Sequence, residues 1–104
     1  MPNYLLVFHG GTAPQSEEEG RKVMQEWTSW MTGLGDAVVD GGNPVGTSKT
    51  ISPDGSVKEG GQNLASGYSI LEAPTVEDAV SKSKSCPHLK YGGSIEVAEI
   101  IQMG

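Results

Sequence analysis

Apolar and polar residues recur along this chain with two rhythms, and each change of rhythm marks an element. The run Tyr4 to His9 (YLLVFH) is apolar on both parities and stops at Gly10-Gly11, the pattern of a central strand covered on both faces. Ser16 then precedes Glu17, Glu18 and Glu19, a capping box whose acidic residues suit the positive end of a helix. Val23, Met24, Trp27, Trp30, Met31 and Leu34 follow at the spacing of one helical face, and Gly33 and Gly35 supply the stop.

The rhythm shortens again from Asp36 to Gly42 (DAVVDGG), which reads as a second strand. Thr47 to Ile51 and Ser56 to Glu59 flank Pro53-Asp54-Gly55, where proline presets φ and glycine tolerates the positive φ that closes a hairpin. Gly60 to Ser66 (GGQNLAS) has no periodicity and predicts a mobile loop. Gly67 to Glu72 alternates as a strand. Thr75 caps a second helix with Val76, Ala79, Val80 and Ser83 inward, and that helix stops before Cys86-Pro87 because the residue preceding proline is pushed out of the helical region. A short loop leads through Gly92-Gly93 to a last, mostly buried strand, SIEVAEII, carrying Ile95, Val97, Ala98, Ile100 and Ile101.

The predicted order is βαββαβ with an inserted hairpin, an α+β, ferredoxin-like plan in which both helices cover one face of an antiparallel sheet. Residues 1–104 suffice for a single domain with one core. With apolar residues on both parities of YLLVFH and no further chain to cover the second face, burial against another copy is the economical solution, so a homodimer is expected.

Charge narrows the partners. Thirteen acidic residues against seven basic ones give a net charge of −6, with no Lys/Arg cluster able to neutralise several phosphates. Nucleic acid and anionic membranes are therefore not expected partners. One cysteine rules out an internal disulfide framework, PNYLLVFHGG does not read as a signal peptide, and no apolar run approaches a membrane span, so the cytoplasm is the expected location.

Candidate chemistry is sparse. His9, at the end of the first strand beside two glycines, suits proton transfer near neutral pH, with Asp40 as its carboxylate partner; a strand-end histidine bonded to backbone is the plainer alternative. Trp27 and Trp30 either pack against the sheet or line a ligand cleft together with Tyr68, whose hydroxyl faces an inter-subunit cavity or the rim of the core. Cys86 and His88 straddle Pro87 and could share a side, as ligand contacts or as a nucleophile with its base. Two such groups do not complete a zinc site, and no metal is expected. The glycine pairs at 10–11, 41–42, 60–61 and 92–93 form no phosphate loop, so no nucleotide cofactor is expected either.

The run SGYSILEAPTVEDAVSKSKSCPHLKYGGSIEVAEI resembles the YCII-related family, in particular its DGPF-type branch. A Gly-Tyr strand, a helix ending in Cys-Pro and a Gly-Gly-Ser-x-Glu-Val strand recur there, and YLLVFHG with the SEEE helix start fits as well. The resemblance implies ferredoxin-like protomers paired as a dimeric α+β barrel, a superfamily that includes cofactor-free oxygenases. The tetrapeptide Asp-Gly-Pro-Phe is absent, KEGGQNLAS being the nearest segment. The positions of a proposed His/Asp pair in the other branch fall near Met24 and Cys86, so that pair is not carried over.

Overall fold

In the computed structural model of the chain, which describes residues 1–60 and 64–103, the helix starts follow from their caps. Ser16 is extended (φ −154°) and its hydroxyl accepts from the Glu19 N–H at 3.1 Å, opening α1 (Glu17–Leu34). Gly35, at φ 58°, closes it by donating to the carbonyls of Met31 and Thr32. Thr75 caps α2 (Val76–Ser83) in the same way, accepting from Asp78 N–H at 3.2 Å. A short loop was expected next, but Pro87 begins a third helix, α3 (Pro87–Lys90). Proline lacks only an N–H that the first helical position leaves unused, so Cys86-Pro87 ends one helix and starts another.

Among the described residues six strands accompany the helices: β1 (Asn3–Gly10), β2 (Val38–Pro44), β3 (Lys49–Ile51), β4 (Val57–Glu59), β5 (Ala65–Glu72) and β6 (Gly93–Glu99). Four form an antiparallel sheet in the order β2-β5-β1-β6, with β1 interior as its composition predicted. β3 and β4 form a separate two-stranded sheet. Its turn is held by the Asp54 carboxylate, which accepts from Ser56 N–H and hydroxyl at 2.9 and 2.7 Å and is thereby kept below the usual carboxylate range. The second strand starts at Val38 rather than Asp36, because residues 35–37 make a 3-10 turn. β6 is an edge strand, and Ile101 beyond it is exposed rather than buried. Residues 61–63 of the loop expected at 60–66, Gly61 of the glycine pair 60–61 among them, fall outside the described residues; within that loop Ala65 and Ser66 already belong to β5.

The core lies between the sheet and the helices. Tyr4, Leu6 and Phe8, alternate residues of β1, are buried. Leu6 and Phe8 pack with Trp30 of α1, Leu71 and Cys86, while Tyr4 packs with Ala73 and Ala79 of α2. Both helices therefore contact the same face of β1. On α2 only Ala79 and Ser83 are buried, and the expected inward Val76 and Val80 are exposed; Met24 on α1 is exposed as well. The other face of β1 carries Leu5, Val7 and His9, all half-buried. Across it the register aligns Leu5 with Ile70 and Ala98, and Val7 with Tyr68 and Glu96. Among the described residues no helix is long and apolar enough to cross a membrane.

Candidate functional site

The β2–β5 pair is where the sheet departs from regularity, and a cleft opens there. The register shifts between Asp40 and Asn43, and Gly42 (φ 75°) lies so close to the Tyr68 carbonyl that a Cβ would overlap it. Gly41, Gly42 and Gly67 leave this part of the helix-facing surface without side chains, while α1 passes above it. The result is an apolar cleft of about 520 Å³, walled by Val23, Met24, Trp27 and Met31 and reaching Phe8 and His88. Its size falls in the usual range for small-molecule sites, about 300–1,000 Å³. Polar groups are few. Ser69, buried in the floor, already donates to the Gly41 carbonyl at 2.8 Å, and Ser66 donates to the Phe8 carbonyl. Asn43 and Tyr68, which also border the cleft, direct their side chains to each other on the opposite face. Thr28, Thr32 and His88 remain as lining side chains able to orient a ligand.

Trp27 and Trp30 divide between wall and core. Trp27 meets Phe8 edge-on at 5.2 Å between ring centroids and borders the cleft. Trp30 stands edge-on to Trp27 at 5.7 Å but is buried, its indole N–H shared between the Lys82 carbonyl and the Ser85 hydroxyl, both at 3.2 Å. Trp30 instead borders a broad groove of about 880 Å³ between α1 and the α2–α3 segment. There Glu26 accepts from Tyr91 Oη at 2.8 Å and from Lys90 Nζ at 3.2 Å. These contacts, the tyrosine hydroxyl first, hold the Glu26 carboxyl below its ordinary value and push the Tyr91 phenol up.

His88 is placed by glycine. A Cβ on Gly93 would overlap its ring and one on Gly11 would come within 2.8 Å of Cε1, so the two strand-end glycines make room for the imidazole. The ring is tilted against Phe8 at 5.4 Å, and Nε2 lies 2.9 Å from the His9 carbonyl. A carbonyl only accepts, so Nε2 carries the proton; in the neutral ring Nδ1 is left as an acceptor. The β1–β5 register shifts at Phe8/His9, and side chains serve both carbonyls there, Ser66 Oγ reaching Phe8 at 3.1 Å. Cys86, two residues away, is not brought into a reactive pair. Its thiol is buried in the core and burial pushes its pKa up to about 11.

The structure does not bring His9 and Asp40 together. Asp40 pairs with Ile70, which pairs with Leu5, so it lies two strands across the sheet and four residues along from His9. By strand geometry that is roughly 16 Å. Its carboxylate instead accepts from the Gly42 N–H at 2.8 Å and stabilises the irregular turn of β2. His9 donates from Nε2 to Glu96 Oε1 at 3.0 Å, a diagonal neighbour on β6. Tyr68 lies opposite Val7, on the side of the sheet away from the helices, and its hydroxyl accepts from Asn43 Nδ2 at 3.3 Å. Glu96 is the residue that sequence reasoning missed as the partner of His9. Its only signal was the alternation of SIEVAE, which places Ser94, Glu96 and Ala98 on one parity.

Together the fold and cleft define an α+β domain with one antiparallel four-stranded sheet, a small second sheet, and a ligand-sized apolar cleft beneath its longest helix. Comparison with protein-family models and with curated proteins finds no match for the chain. Among the described residues no group of three or more His, Cys, Asp or Glu side chains could hold a metal ion.

Proposed function

We propose that this chain is a ferredoxin-like protomer of a homodimer, as the resemblance to the YCII-related family implies, and that it binds a small, largely apolar metabolite beneath α1. The observation carrying the ligand reading is the cleft of about 520 Å³ with an aromatic corner, Trp27 on Phe8, and few polar groups at its edge. A planar ring bearing one or two carbonyl or hydroxyl groups suits it: the ring meets Trp27 and the thioethers, and the oxygens meet Thr28, Thr32 or His88. The strand order β2-β5-β1-β6, with both helices on one face, supports the protomer plan. The half-buried patch Leu5, Val7, Ile70 and Ala98, rimmed by the His9–Glu96 and Tyr68–Asn43 pairs, supports burial of the open face against a second copy.

The test is a thermal-shift screen of small phenolic and cyclic carbonyl compounds on the protein and on Thr28→Phe, whose ring would fill the cleft from an exposed helix position. Hits are expected to raise the Tm of the native protein and to lose that effect in the variant. Hits that stabilise both equally would place binding elsewhere. A cofactor-free enzyme of isomerase, lyase or oxygenase type is the second reading, favoured by the His9–Glu96 pair at 3.0 Å. Full turnover of a candidate substrate by His9→Ala would remove it.

A further inference from the structure

Among the described residues the β3–β4 hairpin has no packed cover. Its strands have their main contacts with each other, and Ile51 and Val57, paired directly across the ribbon, are 72% and 58% exposed. A two-stranded hairpin with no third strand or packed helix is marginal in water. Two bulky β-branched residues on one face of it imply a surface to which that face belongs.

The dimensions of the chain point the same way. Its radius of gyration is 15.0 Å, against about 13 Å for a compact domain of this length. It exposes 7054 Å², where a compact monomer of its mass exposes about 5,600 Å². The surplus, roughly 1,500 Å², exceeds the ~800 Å² that each partner contributes to a standard interface and falls in the range of obligate homodimers. Charge also fits. Residues 47–60 hold Lys49, Lys58, Asp54 and Glu59, which sum to zero, so the whole net charge of −6 resides elsewhere. Lys49 and Glu59 moreover face each other at 3.5 Å. The hairpin is thus a part of the surface that can approach a second acidic copy without net repulsion.

We infer that the β3–β4 hairpin is an exchange arm, the Ile51–Val57 pair of each copy packing at the edge of the open sheet face of the other. This rests on the homodimer reading and adds to it the element that locks the pair. The arm leaves the sheet after β2 and returns into β5, beside the end of β1 that carries His9. In the dimer it closes over the partner's apolar patch of Leu5, Val7 and Ile70, and sheet face and arm form one continuous surface.

Sedimentation over a concentration series would test this with the native protein, the sheet-face variant Val7→Lys and the arm variant Ile51→Lys/Val57→Lys. The native protein is expected to be a dimer, with both variants weakening association by roughly a hundredfold or more, the arm variant because each arm loses two buried aliphatic side chains and Val7→Lys because it sets a charge in the middle of the apolar sheet face. The arm lies outside the core, so its variant should keep the far-UV circular dichroism of the monomer. Hydrogen exchange on the unaltered protein gives a second readout, in which the amides of residues 49–51 and 57–59 should slow as the dimer population rises. A dimer unweakened by the arm variant, or arm amides indifferent to dimer population, would overturn the arm while leaving the homodimer standing. A native protein that stays monomeric throughout would overturn both.

Discussion

Replacing Gly93 by alanine tests the account of His88 at a single carbon atom. Gly93 is not at positive φ, so its backbone accepts alanine, and the lost freedom of the unfolded chain would by itself stabilise the variant by about 0.4–1 kcal/mol. The new Cβ, however, would overlap the His88 ring and displace it. Displacement removes the hydrogen bond to the His9 carbonyl and leaves that acceptor at a strand irregularity, at a cost of about 1–3 kcal/mol. It also removes the ring contact with Phe8, about 0.5–1 kcal/mol. The net expectation is a loss of about 2 kcal/mol, or a fall in Tm of about 10 °C for a chain of this length. Urea and thermal unfolding followed by far-UV circular dichroism would measure it. The diagnostic step is to repeat the substitution in a His88→Ala background, where alanine at 93 should be neutral or slightly stabilising. An equal loss in both backgrounds would refute the claim that Gly93 exists to seat the imidazole.

Other consequences are open to direct measurement. Trp30→Phe removes the indole N–H that donates to the Lys82 carbonyl and the Ser85 hydroxyl, together with some buried ring area, and should cost about 2 kcal/mol in a urea titration, whereas Trp27→Phe should cost less because its wall of the cleft is half-open. With its pKa pushed up to about 11, the Cys86 thiol should be almost wholly protonated at pH 8; iodoacetamide should label it far more slowly in native protein than in urea, and equal rates would contradict its burial. Glu26 has a depressed folded-state pKa, so the stability it lends is present above its unfolded pKa and lost as pH falls through the folded one. The stability difference between native protein and Glu26→Gln should accordingly be small but measurable at pH 7 and shrink as acid protonates the folded-state carboxyl; a difference that did not shrink on acidification would refute the assignment.

What could be read from the sequence was what short-range chemistry decides. Ser16 and Thr75 announced their helices because a cap needs only a hydroxyl and an N–H three residues away. Pro53-Asp54-Gly55 announced its turn for a similar reason. β1 was legible because an interior strand is apolar on both parities. The misreadings came where one local signal serves two purposes. Cys86-Pro87 was read as a stop, although proline at a first helical position also starts α3. The pairs Gly10-Gly11 and Gly92-Gly93 were read as punctuation, but Gly11 and Gly93 leave room for a histidine ring. Long-range pairing was out of reach: His9 meets Glu96, 87 residues away, only because β6 rather than β2 lies beside β1. Asp40 satisfies its own turn instead. The cleft was equally hidden, since it depends on where a register shift and three glycines fall beneath α1, which no periodicity records.

The edge-on tryptophans have an optical consequence. Two indoles 5.7 Å apart and nearly perpendicular are close enough for their excited states to couple, which gives a paired signature in near-ultraviolet circular dichroism. One member belongs to the cleft wall and the other is anchored through its N–H to the end of α2. A ligand that turns Trp27 would alter the coupling while Trp30 stays fixed, whereas loosening of α2 from α1 would abolish it. The protein thereby carries its own label, able to distinguish occupation of the cleft from separation of the helices without any added dye.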